Sequence, residues 1–256
     1  MIKSFFSKKR DQEAPPPAVP AGQRVYAIGD IHGRQDLLLK LLTMIDEDDA
    51  KRGPADTHLV FLGDLVDRGP DSKGVIDTAL SLAKASDKVR FLTGNHEEVM
   101  VGAYSGDPSM VRFFCRIGGR ETILSYGVPL ARYRNMEIDE LAELLPDLFP
   151  AEHMEFLSTF EDQIVFGDYV FVHAGIRPKV PLAEQSRKDM RWIREDFISY
   201  ERRHEKFVIH GHTISEDIDS QRNRIGIDTG AYLTDRLTAI GLEGTERWYV
   251  QTLPLS

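Results

Sequence analysis

Short apolar runs recur along the chain, and five of them stop at a glycine or at a metal-type side chain. Val25-Tyr26-Ala27-Ile28 runs into Gly29-Asp30-Ile31-His32-Gly33, and His58-Leu59-Val60-Phe61-Leu62 into Gly63-Asp64-Leu65-Val66-Asp67-Arg68-Gly69. Val89-Arg90-Phe91-Leu92 leads through Thr93 to Gly94-Asn95-His96-Glu97. Tyr169-Val170-Phe171-Val172 ends at His173-Ala174-Gly175, and Phe207-Val208-Ile209 at His210-Gly211-His212. Between the first two runs, Leu37, Leu38, Leu41, Leu42 and Ile45 share one helical face, until Asp46 to Lys51 dissolves the pattern into charge. A second helix is predicted from about Ser72 to Lys84. Strand, helix, strand, helix, strand is the alternation of a parallel α/β layer, in which the ligand crevice lies beyond the carboxyl ends of the strands.

From Glu98 to Asp162 the alternation stops, and helical patterns broken by Pro108, Gly118-Gly119, Pro129 and Pro146 take over. This predicts a helical insertion over about 98–160, walling one side of the crevice. Apolar runs then return at 163–166, 169–172, 207–209, 224–227, 237–242 and 247–252. They predict a second β layer, and with it an α/β fold whose β-sandwich is flanked by helices. Pro15, Pro16, Pro17 and Pro20 favour extended chain, so residues 1–22 are expected as a disordered tail before a catalytic domain at 23–256.

The chain has 256 residues, 41% of them hydrophobic, enough for one sizeable core. A formal net charge of -9, without clustered Lys and Arg, argues against a nucleic-acid surface. Anionic substrates remain open, because a bound metal can outweigh the overall field. The single Cys115 fits a reducing, cytoplasmic compartment. It is followed six positions on by Glu121, which breaks the spacing a cysteine phosphatase needs. No apolar run nears the roughly 20 residues of a spanning helix, so no stable membrane insertion is expected. The basic residues around Phe5-Phe6 lack the apolar core and cleavage site of a signal peptide.

Asp30 and His32 are two apart at a strand end, a spacing that aims both side chains at one ion. Asp64 is the candidate bridge to a second ion, for which Asn95 supplies a neutral oxygen and His173 and His212 supply imidazoles. Two metals about 3.5 to 4 Å apart stabilise both the attacking and the leaving oxygen of an in-line displacement. Donors without sulfur suit manganese foremost, with iron or zinc as alternatives. His96 next to Asn95 is a candidate acid for the leaving group, Asp67 its orienting carboxylate, and Arg68 a planar fork for a phosphoryl oxyanion. Taken singly, each of these is more often a turn or a hydrogen-bonded structural residue. Five strand tips in one order are not.

These blocks resemble the signature motifs of the phosphoprotein phosphatase family of calcineurin-like metallophosphoesterases, over about residues 24–242. The resemblance implies a dimetal phosphomonoesterase working by direct attack of a metal-bound hydroxide. It carries over the six ligands Asp30, His32, Asp64, Asn95, His173 and His212, the acid pair His96 and Asp67, and phosphate binding by Arg68. Trp192-Ile193-Arg194 is similar to a bacterial and phage motif, which makes Arg194 a second phosphate contact. The family ligand follows the glycine, so His210 is expected in packing rather than at the metal.

Thr93 stands where eukaryotic members carry arginine, and Ile227-Asp228-Thr229-Gly230 replaces their Ser-Ala-Pro-Asn-Tyr block. Eukaryote-style regulatory subunits are therefore not implied. The leading expectation is a serine/threonine protein phosphatase acting on a phosphoprotein or phosphopeptide. Its rival is a symmetrical dinucleoside tetraphosphate hydrolase, a group that typically has alanine at the position of Asp67. A catalytically silent binding module is a third reading, against which stands the intact ligand set.

Overall fold

Strand β1 (Gln23–Ile28) buries almost every side chain, and so requires cover on both faces. Its alternate residues divide between two cores. Tyr26 and Ile28 pack among helices, while Val25 and Ala27 pack against a second sheet. Along β2 (Asp56–Phe61), Phe61 faces the helices and Val60 the second sheet in the same way. The computed structural model, which describes residues 15–252, is thus a two-sheet sandwich with helices outside.

The remaining strands are β3 (Val89–Phe91), β4 (Gln163–Phe166), β5 (Tyr169–Val172), β6 (Phe207–His210), β7 (Asp219–Ser220), β8 (Arg224–Gly226), β9 (Thr238–Glu243) and β10 (Glu246–Gln251). One sheet has the order β10-β9-β1-β2-β3 and the other β4-β5-β6-β8-β7. β1, β2 and β3 are parallel neighbours, as are β5, β6 and β8.

The runs 237–242 and 247–252 form strands, but not in the second layer where they were expected. β9 and β10 form a hairpin that pairs antiparallel with the free edge of β1, with Ala27 opposite Ile240. Apolar alternation marks a strand without saying which edge it closes.

Helix α1 (Gln35–Arg52) runs on through the charged stretch that was expected to end it. Those charges are fixed by partners: Asp48 accepts from the Tyr26 hydroxyl (2.6 Å) and the Trp248 indole (2.7 Å). Asp49 accepts from the fully buried Arg24 (2.7 Å). After α2 (Ser72–Ala85) come the helices of the insertion: α3 (Asn95–Tyr104), α4 (Pro108–Phe114), α5 (Arg120–Ser125), α6 (Leu130–Tyr133), α7 (Ile138–Leu148) and α8 (Ala151–Ser158). Leu141, Leu145, Phe149 and Leu157 join the same core as Tyr26 and Phe61. A kinked turn, Cys115–Gly119, with Gly118 out of helical conformation at φ 125°, links α4 to α5. Three short helices follow later, α9 (Arg187–Trp192), α10 (Glu195–Ile198) and α11 (Ala231–Thr234).

Of the stretch expected as a tail, residues 1–14, with the basic cluster at Phe5-Phe6, lie outside the described residues. Residues 17–19 are tied down. The Tyr169 hydroxyl donates to the Pro17 carbonyl (3.1 Å), the Ala18 amide donates to Asp168 (3.0 Å), and Val19 is buried in the inter-sheet core. Among the described residues no helix is long and apolar enough to cross a membrane.

Candidate metal centre

The strand tips meet in one buried place. Seven non-glycine residues of the described chain have positive φ, and five of them are here: His32 (46°), Asp64 (51°), Asp67 (73°), Arg68 (68°) and His212 (64°). Each costs about 1 to 3 kcal/mol, and such strain gathers where the position of a side chain matters more than local comfort. The chain turns back sharply as it leaves β1, β2 and β6, and these turns aim the side chains across the strand ends.

Protons locate the electron pairs. His173 Nδ1 lies 2.8 Å from the Leu62 carbonyl, which can only accept, so Nδ1 carries the hydrogen and Nε2 a lone pair. That Nε2 faces Asp64 Oδ1 (3.4 Å), Asn95 Oδ1 (3.0 Å) and His212 Nδ1 (3.2 Å). His32 repeats the pattern: Nδ1 donates to the Val66 carbonyl (2.8 Å), and Nε2 lies 3.6 Å from Asp64 Oδ2. Burial drives His32, His173 and His212 toward the neutral form, although Asp64 opposes it. At His173 Nε2, therefore, acceptors face acceptors: no hydrogen lies between it and the oxygens of Asp64 and Asn95, while His32 Nε2 accepts from Arg68. A cation satisfies such an arrangement, and two groups of the right reach exist, His32 with Asp64 and His96, and Asp64 with His173 and His212. Asp64 belongs to both, as a bridging carboxylate would. His212 Nε2 is buried and has no protein partner. The sulfur-free oxygen and imidazole set fits a pair of divalent cations.

Asp30 is placed differently from the other expected ligands. Both of its oxygens accept from the His212 amide, at 3.1 and 3.0 Å, and it lies against Asp228. Burial raises both carboxyls, Asp228 to about 6, and each also feels Asp64. Asp228 was visible in the sequence only as part of a replaced block.

His96 Nδ1 is 2.6 Å from Asp67 Oδ2, and its ring is buried. Although burial opposes the charged imidazole, Asp64 and Asp67 hold its pKa above the ordinary value. The guanidinium of Arg68 spans the two rings, Nη1 to His32 Nε2 (3.0 Å) and Nη2 to His96 Nε2 (3.0 Å). It also lies over the ring of Tyr232, 4.9 Å from its centroid. Arg194 is exposed on the loop between α9 and α10, and its charge is felt at His173 and His212. His210 turns away, packed edge-on against Phe197 and accepting from Arg224 Nη1 (3.3 Å).

Two supports escaped sequence reasoning. Glu97 is fully buried and accepts from the amides of Asp64 (2.8 Å), Leu65 (2.8 Å) and Gly94 (2.9 Å), which clamps two strand tips together. Burial lifts its carboxyl to about 7, with Asp64 adding to the rise. Gly94 is needed at that junction, since a Cβ there would meet Asp64 Oδ1 at 2.2 Å. The second support is the contact of the insertion with residues 67 and 68, described below. The one signal for Glu97 was its place directly after Asn95-His96; Gly118 was marked only as part of a break in the helical pattern, and nothing marked Thr122.

The fold and this cluster define a calcineurin-like phosphoesterase. The family's model matches residues 23–238, and the chain belongs to that family. It is 28% identical over 236 residues to the bis(5'-nucleosyl)-tetraphosphatase PrpE [asymmetrical] of Anoxybacillus flavithermus, covering 83% of this chain and 88% of the relative. A symmetrical bis(5'-nucleosyl)-tetraphosphatase of an Acidovorax species is 31% identical over 176 residues, 69% of this chain and 48% of that protein. Among solved structures, a candidate diadenosine tetraphosphatase has a TM-score of 0.64 at 20% identity, covering 94% of this chain and 100% of that chain. A cold-active protein-tyrosine phosphatase of a Shewanella species has a TM-score of 0.53 at 18% identity, covering 93% of this chain and 83% of that chain. At such identities these two likenesses speak for the fold alone.

The sequence relatives overturn the expectation of a serine/threonine phosphatase with a phosphoprotein substrate. They carry nucleotide-polyphosphatase names over most of the chain. Asp67 misled because it was weighed only as the partner of an acid. Its amide and its second carboxylate oxygen also anchor the turn that carries Arg68.

Proposed function

We propose that this protein hydrolyses bis(5'-nucleosyl) tetraphosphates, cleaving a phosphoric anhydride bond. The observation that carries the reading is the likeness to an asymmetrical bis(5'-nucleosyl)-tetraphosphatase across 83% of the chain, joined to two buried donor groups that share Asp64 at the strand tips. Asymmetric cleavage is the form proposed, because that relative aligns over 236 residues, 83% of the chain. The symmetrical one aligns over 176 residues.

In this reading Asp64 would be shared by two divalent ions. Asp30 and His32 would help hold one, and Asn95, His173 and His212 the other. The ions, when bound, supply positive charge to phosphoryl oxygens and acidify water. Arg68, now bonded to two imidazoles, offers its fork to a phosphoryl oxygen in their place. His96 holds a proton at Nε2 for the departing phosphate oxygen, with Asp67 fixing the ring through Nδ1. Exposed Arg194 meets a second phosphate of the chain of four. A polyphosphate carries several negative charges, so a cationic second contact gains more here than with a single phosphoryl group.

The test is product analysis after incubating the manganese-reconstituted protein with diadenosine tetraphosphate. AMP with ATP is expected. Two ADP would assign symmetrical cleavage, and an unchanged substrate would overturn the reading.

A further inference from the structure

We infer that Thr122 and Gly118, both from the helical insertion, are positioning residues that set the Asp67-Arg68 turn, and through it the Arg68 fork and the His96 ring. The assignment rests on the proposed roles of Arg68 and His96.

Asp67 and Arg68 are consecutive residues at φ 73° and 68°, a conformation that L side chains disfavour and that outside contacts must hold. Each amide is held from elsewhere. The Arg68 amide donates to the Gly118 carbonyl (3.1 Å), at the kink between α4 and α5. Gly118 itself has φ 125°, and a Cβ there would lie 2.8 Å from Arg68 Cγ and 3.0 Å from its amide nitrogen. Glycine therefore permits both the turn and the close approach.

The Asp67 amide is shared between Ser72 Oγ (2.9 Å) and Thr122 Oγ1 (3.0 Å). Thr122 has one hydroxyl hydrogen, and it goes to Asp67 Oδ1 (2.6 Å). The Ser72 hydroxyl, 2.9 Å away, can then donate to Thr122. The circuit closes with every hydrogen used, and Ser72, Thr122 and Asp67 are all fully buried. It leaves Asp67 Oδ2 as the oxygen facing His96 Nδ1. Thr122 thereby fixes the rotation of the carboxylate that orients His96, although it lies 55 residues beyond Asp67.

The experiment compares Thr122→Val, which keeps the shape and removes the hydroxyl, with Thr122→Ser, which restores it, in the metal-reconstituted full chain. Turnover of diadenosine tetraphosphate and of an aryl phosphate should fall on the order of 10- to 100-fold in Thr122→Val, at unchanged metal content, and recover in Thr122→Ser. The downfield proton signal of His96 Nδ1 should shift or broaden in Thr122→Val and return in Thr122→Ser. Equal turnover and an unmoved signal in Thr122→Val would overturn the inference. If Thr122→Val does not fold, Thr122→Cys replaces it, with the same two criteria. Should wild type leave the dinucleotide untouched, the substrate reading fails; the aryl phosphate and the proton signal still decide this one.

Discussion

The two sheets supply the candidate centre in different ways. The first contributes Asp30, His32, Asp64, Asp67, Arg68, Asn95 and His96 from three adjacent parallel strands, all within the first 96 residues of the chain. Four of those residues sit in left-handed turns, and Glu97 clamps two of the tips through three amides. The second sheet contributes His173 and His212, separated by 39 positions and delivered across the inter-sheet core. His173 reaches the first sheet through its bond to the Leu62 carbonyl, and His212 through its amide, which donates to Asp30. The first half is thus held by bonds within its own sheet, and the second by packing and by bonds that cross to the first. Damage to the two halves should look different.

The largest effect is expected where they meet. Asp64→Asn removes the one carboxylate common to both donor groups, and should abolish binding of both ions and cut turnover on the order of 10³-fold or more. Metal analysis after gel filtration checks it; two retained ions would show that Asp64 is no bridge. His212→Ala should lose one ion and keep the other, because the first-sheet set is built independently. Loss of both ions would mean that the halves form a single cooperative site.

Gly118→Ala imposes a side chain at φ 125° against Arg68 and should cost about 1 to 3 kcal/mol of stability. Thermal melting would show it, and an unchanged midpoint would mean that the insertion yields freely at this point. The smallest effect is a pH dependence confined to the second sheet's surroundings. His204, just before β6, has its pKa lowered to about 4 by burial and by Arg224. The folded state therefore resists a proton that the unfolded chain takes up near 6.5, so stability is full above that pH and is lost as pH falls toward 4. His204→Gln should flatten this slope between pH 7 and 5, measured as the fall in melting temperature. An equal slope in both proteins would place the acid sensitivity elsewhere.

Much of the candidate centre was legible because its chemistry is written in short blocks. A strand ending in Gly-Asp-x-His or Gly-Asn-His announces both the element and the donor at its tip, and the parallel alternation says that such tips share an end of the sheet. The sandwich was legible too. The destination of β9 and β10 was not, since the same alternation suits either sheet, and only the free edge of β1 decided between them.

The substrate was not legible either, because the motif residues bear on what could hold a phosphoryl group and say nothing of what it is attached to. By itself, then, the sequence determined the donors, their order along the chain and the class of chemistry they serve, because those depend on residue type and strand period. The tertiary structure alone decided that Glu97 clamps two tips, that Asp30 turns to Asp228, and that Thr122 closes on Asp67 from 55 residues away. Those are contacts between segments whose separation carries no periodic signal, and they exist only once the core has brought the segments together.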